Sequence, residues 1–387
     1  MKIENIIIGH CYLPGSAASN RVFSFAKGYH NIGKNVTVIL HSGYGVIPPV
    51  LEGVKIVNVQ EKNIPGKLLR KLLIMRPILN AFKKNFVVGK TSVHIYRTPY
   101  WAHFLSYKKY NKFYERGEVP FYAEKKSPMY LLKEYLSLWE IHKAMGLLAQ
   151  TYALKDFYAA KGVKNIDVSN MIVDPSRFNI EKQDNGQKYI AYCGTVSKHK
   201  DGVDDLIKAF AIFHEKHPEY LLKIIGGFVS EYDDKEELFA LRSSLGLEDS
   251  VVFTGRVSRE EMPEYLMNAS MLALARPDNI QARYGFPTKV GEYLCTGNPV
   301  VLTKVGELPM YFTDKVNCLL ADPDKPESFA ESLGWLASHE SEGKVIGKNG
   351  RDMIDKFFSQ EGQAQRAIEF MERTLNGGGK SLYINDL

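Results

Sequence analysis

The sequence predicts an α/β protein of two doubly wound domains with parallel sheets. Three observations point there. The 387 residues exceed what one hydrophobic core comfortably organises. Alternating strand and helix patterns run along the chain twice, not as one continuous series. A polar stretch, Glu181-Lys182-Gln183-Asp184-Asn185-Gly186-Gln187, separates the two runs and reads as a linker.

The first run opens with Lys2 to Gly9, apolar and rich in β-branched residues, which breaks at His10 to Ser16. Ser19 to Asn31 then carries Val22, Phe23, Phe25, Ala26 and Tyr29 at helical spacing, and Gly33-Lys34 stops it before the strand Asn35 to Leu40. Strand, helix and strand in that order need a crossover, and a crossover implies parallel pairing. The second run has strands at Tyr189 to Cys193, Tyr220 to Ile225, Val251 to Phe253 and Ser270 to Ala275. Between them lie a polar loop from Gly194 to Gly202 and helices at Val203 to Lys216, Glu236 to Leu245 and Arg259 to Asn268. The expected domains are 1–180 and 181–360, followed by a C-terminal helix near Gln360 to Leu375 and a frayed glycine-rich tail.

Composition excludes several classes. Hydrophobic residues make up 45% and charged residues 24%, as in ordinary globular proteins. No apolar run reaches the roughly 18 residues that span a bilayer, and the N-terminal segment carries Glu4 and is no secretory signal. Cys11, Cys193, Cys295 and Cys318 are scattered without metal spacing, which predicts reduced thiols and a cytoplasmic location. Residues 1–175 hold 25 Lys and Arg against 11 Asp and Glu, and the remainder 25 against 33. Such asymmetry suggests different partners for the two halves, but the cations follow no nucleic-acid motif.

Chemistry concentrates in the run Tyr284-Gly285-Phe286-Pro287-Thr288-Lys289-Val290-Gly291-Glu292, which leads through Thr296-Gly297-Asn298-Pro299 into Val300-Val301. Free amides at a helix start can hold phosphate or sugar oxygens, and a carboxylate a turn later can accept both hydroxyls of a ribose. The plainer alternative is a core helix bearing a surface glutamate. A second candidate is Cys193-Gly194-Thr195-Val196-Ser197-Lys198-His199-Lys200-Asp201-Gly202, whose plainer reading is a solvated lysine loop.

These runs resemble the signatures of the GT-B glycosyltransferases of the family-4 type (glycosyl transferases group 1). Gly285, Phe286, Glu292, Gly297, Pro299, Val300 and Val301 match the E-G-F-G and E-A-x-A-x-G-x-P-V-V pattern, whereas Tyr284 stands where the family has its first glutamate. A looser branch with G-F-P-T-K fits better, and makes Lys289 characteristic. The resemblance implies that Glu292 binds the donor ribose and that loop amides from Phe286 to Thr288 face sugar and phosphates. In the family's G-R-L and lysine site, Thr195 replaces the arginine, Lys200 matches the lysine and Lys198 is its reserve. Such cations stabilise charge on a departing diphosphate.

Three further segments match in the family's order. Pro14-Gly15-Ser16 to Arg21 resembles the first glycine-rich loop, where Gly15 lets backbone approach a phosphate. Val168 to Phe178 resembles the interdomain P-N-G-V-D-x-x-x-F segment, and Val252-Phe253-Thr254-Gly255-Arg256-Val257 the turn lining the base pocket. The family implies two Rossmann-like domains facing a cleft, with the final helix returning to the first. The implied activity is transfer of a sugar from a nucleotide-diphosphate sugar, UDP favoured, to an acceptor hydroxyl. Retention is expected, in cell-surface polysaccharide or glycan synthesis on a sugar or lipid-linked acceptor.

No cofactor, no metal site and no nucleic-acid partner are expected, the nucleotide sugar being a substrate. Glu118, in Tyr114 to Pro120, is the acceptor-side catalytic candidate beside Lys200, and a loop ion pair is its plainer reading. His94 reads as a strand histidine with a satisfied ring. The rivals are a nucleotide-sugar 2-epimerase, which needs no acceptor, and a non-catalytic binding relative, suggested by Tyr284 and Thr195. Lys67 to Pro77 and Ala81 to Lys84 mix cations with large apolar groups, and Lys108-Lys109 and Lys125-Lys126 add charge. These suggest peripheral contact with an anionic membrane, against the alternative of a core-facing helix with a solvated basic side.

Overall fold

The structure, a computed structural model, describes residues 1–96, 109–119, 127–183, 186–228 and 234–377. Lys108, Pro120, Lys125, Lys126 and the end of the glycine-rich tail lie outside the described residues. Two compact units account for the chain, Met1–Ile172 with Ser359–Leu387, and Val173–Phe358. The expected divisions were 180/181 and 360/361. The segment after Ile172 belongs to the second unit, where Asp174 caps the 3-10 turn Pro175–Phe178 and Phe178 is buried.

In the first unit the strands are β1 (Asn5–Cys11), β2 (Asn35–Ser42), β3 (Lys55–Gln60), β4 (Thr91–Tyr96), β5 (Lys112–Arg116), β6 (Gly146–Ala149) and β7 (Ile166–Val168). They form one sheet in the order β3-β2-β1-β4-β5-β6-β7, and every pairing is parallel. The helices are α1 (Ala17–Asn31), α2 (Lys67–Asn85), α3 (Pro128–Lys143) and α4 (Tyr152–Ala160). Ser16 caps α1 by accepting from the Ser19 amide, which starts the helix directly after the Gly15 turn. The order reverses between β1 and β4, so the Gly15 loop, which follows β1, sits at the switch point where ligands collect in such sheets.

In the second unit β8 (Tyr189–Cys193), α5 (Lys198–Asp201), α6 (Val203–His214), β9 (Leu221–Ile225), α7 (Lys235–Ser244), β10 (Val251–Gly255), α8 (Met262–Met267) and β11 (Met271–Leu274) come first. They are followed by α9 (Ile280–Tyr284), α10 (Lys289–Cys295), β12 (Val300–Thr303), α11 (Leu308–Tyr311), β13 (Leu319–Ala321), α12 (Pro326–Ser338) and α13 (Glu340–Met353). The parallel sheet runs β10-β9-β8-β11-β12-β13, and its switch point lies between β8 and β11. One expected loop is partly helical. Ser197 caps α5 by accepting from the Lys200 amide, and Gly202 ends it in the left-handed conformation.

The last helix, α14 (Gln360–Leu375), belongs to the first unit and lies along α1. Ala364, Ala367, Ile368, Phe370 and Met371 join Val22, Phe25, Ala26 and Tyr29 of α1 in one buried cluster over β1 and β2. The helical spacing of these α14 residues explains the docking, since that stripe must be covered.

Candidate functional site

The second unit's candidate residues converge at its switch point. Gly194 ends β8 and Gly226-Gly227 ends β9, with the loops in such close approach that side chains do not fit. A Cβ on Gly226 would stand 1.7 Å from the Gly194 carbonyl oxygen, and one on Gly194 2.3 Å from Lys289 Nζ. Both glycines also have positive φ, +150° and +154°. Thr195 is held by its carbonyl, which accepts from Tyr192 OH at 2.5 Å.

Lys289, the first residue of α10, reaches into this crowd. Its ammonium donates to Asp201 Oδ2 and, at 3.2 Å, to Tyr192 OH. Burial pulls the Lys289 pKa down against the pull of Asp201. Burial also pushes Asp201 up, but the Lys289 and Arg276 charges outweigh it and hold its carboxyl below the usual range. Lys200 lies beside this pair, and its ammonium makes no ion pair or hydrogen bond among the described residues. Lys198 is engaged: its side chain pairs with Glu237 and its amide donates to Asp234 at 2.7 Å.

Arg276, just past β11, ties the two loops together and escaped the sequence analysis. Its buried guanidinium donates to three carbonyls, Lys200 at 3.3 Å, Gly285 at 3.4 Å and Gln281 at 3.3 Å. The signal lay in its position, a cation directly after the apolar run Met271 to Ala275 at a strand's carboxyl end.

Along the Gly285 to Glu292 run the groups divide. The Phe286 ring turns into the core against Tyr311 and Phe358, so only its backbone is available to a ligand. Pro287 is buried, while Tyr284, Gly285 and Thr288 are half-buried. Glu292 is half-buried, and Arg177 Nη1 donates to its Oε1 at 2.6 Å. The same guanidinium donates through Nη2 to the Arg259 carbonyl at 3.0 Å, which fixes the carboxylate's direction. Gly255 and Arg256 are exposed at the end of β10 and Val257 is half-buried; the Arg256 stem packs over Gly227.

Gly15 and Glu118 belong to the first unit. Glu118 is an exposed loop residue after β5. The buried acid of that strand is Glu115, whose carboxylate binds Arg21 and accepts from His94 Nε2 at 2.9 Å. Arg21 also donates to the carbonyls of Asn170 at 2.6 Å and Ser169 at 2.8 Å. His94 Nδ1 lies 3.1 Å from Tyr29 OH, so both nitrogens of its ring are engaged.

Residues 174–353 match the family model of the glycosyl transferases group 1. The second unit is a group 1 glycosyl transferase domain. The chain is 29% identical over 197 residues to mannosylfructose-phosphate synthase of Agrobacterium fabrum, covering 49% of the chain and 41% of that protein. It is 30% identical over 139 residues to D-inositol 3-phosphate glycosyltransferase of Streptomyces griseus, covering 35% and 28%. The chain thus covers at most about two fifths of these relatives' length. The whole chain has the fold of the GT-B glycosyltransferases. Sucrose-phosphate synthase from Thermosynechococcus elongatus aligns with a TM-score of 0.72 at 16% identity, over 97% of this chain and 100% of that one. HepE of Anabaena in complex with UDP and glucose gives 0.72 at 16% identity, over 95% and 99%. Within the transferase domain, Gly194, Lys200, Lys289 and Glu292 fall on its matched segment.

Proposed function

We propose that the chain transfers a sugar from a nucleotide-diphosphate sugar, with UDP as the nucleotide, to an acceptor hydroxyl with retention of configuration. The observation that carries this reading is the Lys200 ammonium, without an ion pair or hydrogen bond among the described residues, beside the Lys289 and Asp201 pair at the switch point of the glycosyl transferase domain. A diphosphate placed there would meet the Lys200 ammonium and the Lys289 ammonium held in a buried pair, beside the backbone of Gly194 and Gly226. Glu292, aimed by Arg177, would accept the ribose hydroxyls. The loop from Gly285 to Thr288 would present amides to the sugar, and Gly255 to Val257 would border the base. The Anabaena structure holding UDP and glucose supports the choice of nucleotide. Glu118 is proposed on the acceptor side, and Gly15 at the phosphate end of the acceptor entry. The setting is cytoplasmic synthesis of a cell-surface glycan on a sugar or lipid-linked acceptor.

In this reaction the bond between the anomeric carbon and the diphosphate oxygen breaks, and one to the acceptor oxygen forms on the same face. The acceptor proton leaves with the diphosphate. Holding the acceptor against the face that the diphosphate leaves supplies much of the rate, and cations meeting the departing charge supply the rest.

The test is a thermal-shift series with UDP-, GDP- and ADP-sugars, followed by transfer to an acceptor panel. A UDP-sugar shift with acceptor-dependent release of UDP is expected. Turnover without any acceptor would identify an epimerase instead. Binding without transfer across the panel would favour a non-catalytic relative, the reading that Tyr284 and Thr195 support.

A further inference from the structure

Helix α3 is built inside out. Its two glutamates are buried against β5, where Arg116 Nη2 donates to Glu134 at 2.8 Å and Lys112 Nζ to Glu140 at 3.3 Å. Tyr114 OH donates to Glu140 as well. Its outward side carries Met129, Leu132, Tyr135, Leu136 and Trp139, with exposures of 74%, 54%, 64%, 43% and 51%. Those positions recur at spacings of three and four, which puts them on one face. A surface helix normally has the opposite arrangement. The other outward residues are Lys133, His142 and Lys143, so α3 exposes no carboxylate.

Helix α2 shares the exposed leucines and the basic charge, although it buries an apolar face. Leu68, Leu69, Leu72 and Leu73 are exposed, and the helix contains no acidic residue but holds Arg70, Lys71, Arg76, Lys83 and Lys84. Both helices lie on the side of the sheet opposite α1 and α14. On β5, Lys112, Tyr114 and Arg116 alternate with Phe113 and Glu115, which meet Phe370 of α14 and Arg21 of α1. The buried Ile74, Ile78 and Phe82 of α2 likewise stand outside the cluster that α1 and α14 share.

We propose that this face of the first unit docks on an anionic lipid surface through α3, with α2 contributing from over β2 and β3 on the same side. The leucines and Met129 enter the boundary between headgroups and acyl chains, Tyr135 and Trp139 sit at the interface, and the cations meet headgroup charge. Charge decides between lipid and a second copy of the chain. Two such faces would bring Lys133, Lys143 and the basic residues of α2 against their own kind, with no exposed carboxylate on either helix to offset them. The inference does not depend on the transfer reaction.

The experiment is flotation of the full chain with vesicles of phosphatidylcholine alone or with about 30 mol% phosphatidylglycerol, where binding about tenfold greater to the anionic vesicles is expected. Leu132→Glu with Leu136→Glu, and separately Lys133→Glu with Lys143→Glu, should each reduce that binding about fivefold or more. All these side chains are exposed, so the melting temperature and any UDP-sugar shift should stay as in the parent. Reading the nucleotide shift on the same samples separates failure of lipid docking from failure of donor binding. Equal binding to both vesicle types, or full binding by both variants, overturns the proposal. So does a concentration-dependent dimer that the leucine variant disperses, which would give the face to a second copy.

Discussion

Lys289 Nζ donates to Asp201, so the first residue of α10 is locked to the last residue of α5. The two glycine-rich loops of the transferase domain are therefore one object, joined by a buried ion pair that Tyr192 completes from β8. Neither partner can be removed cheaply, because the survivor would remain charged in an apolar surrounding. Lys289→Met is expected to cost about 3–5 kcal/mol of stability by denaturant unfolding. Lys289→Met with Asp201→Leu should recover part of that loss, since the stranded charge is gone. A single variant as stable as the parent would show that the pair is solvated in solution.

Lys200 presents the contrasting case, a cation near the same site with no side-chain partner among the described residues. Lys200→Ala should leave stability within about 0.5 kcal/mol of the parent. The transfer rate should fall about 10²- to 10³-fold if the ammonium meets diphosphate charge in the transition state. Steady-state kinetics with a UDP-sugar checks this, and an unchanged kcat would move the role to Lys198 or Arg256.

The sequence carried the alternation of strands and helices, because that depends on local spacing and on Gly and Pro stops. The runs that hold Gly194, Lys200, Lys289 and Glu292 stood out as well, because each has recognisable turn chemistry, and the structure brings the first three together. The position of Arg276 was visible but its bonds were not, because its three acceptors are carbonyls, which leave no side-chain signature. The role of Glu115 was hidden for a similar reason. Loop position is visible in a sequence, but the Arg21 that engages Glu115 lies far away in the chain. The inverted polarity of α3 was also hidden, because its spacing shows two faces without saying which one is turned inward.

Arg276 acts as a positioning residue, through the loops and not on the substrate. Arg276→Lys keeps the charge but cannot reach three carbonyls in fork geometry. The expected signature is a raised KM for donor, with kcat lowered about tenfold and affinity for UDP alone weakened less than for the UDP-sugar. Equal weakening of both ligands would assign Arg276 to general stability.

Glu115 gives the first unit a pH dependence of definite sign. Burial pushes its pKa up, but Arg21 and His94 outweigh burial and hold it below the ordinary glutamate value of 4.5. Between those two values the unfolded chain binds more protons than the folded one. The stabilisation is therefore complete above pH 4.5 and lost as pH falls through the folded value. Glu115→Gln should cost about 3 kcal/mol at neutral pH and flatten the acid limb of a stability profile. An acid limb as steep as the parent's would place the titration on other carboxylates.

Glu292 is the residue on which the donor assignment turns. Its carboxylate is already aimed by Arg177, whose guanidinium is anchored on the Arg259 carbonyl, so little ordering remains when a ribose arrives. Glu292→Ala removes both the acceptor of the hydroxyls and the partner of Arg177. The loss of a charge-assisted hydrogen bond on a half-buried group is worth about 1.5–3 kcal/mol, so nucleotide affinity should drop about 10- to 100-fold and the thermal shift should vanish. Glu292→Gln, which retains an acceptor oxygen, should restore a fraction of the shift. Deoxyuridine diphosphate separates ribose contact from mere loop support, because it lacks one hydroxyl. The parent should bind it more weakly than UDP, and Glu292→Ala should bind the two alike. A Glu292→Ala variant stabilised by the UDP-sugar as strongly as the parent would sink the ribose assignment.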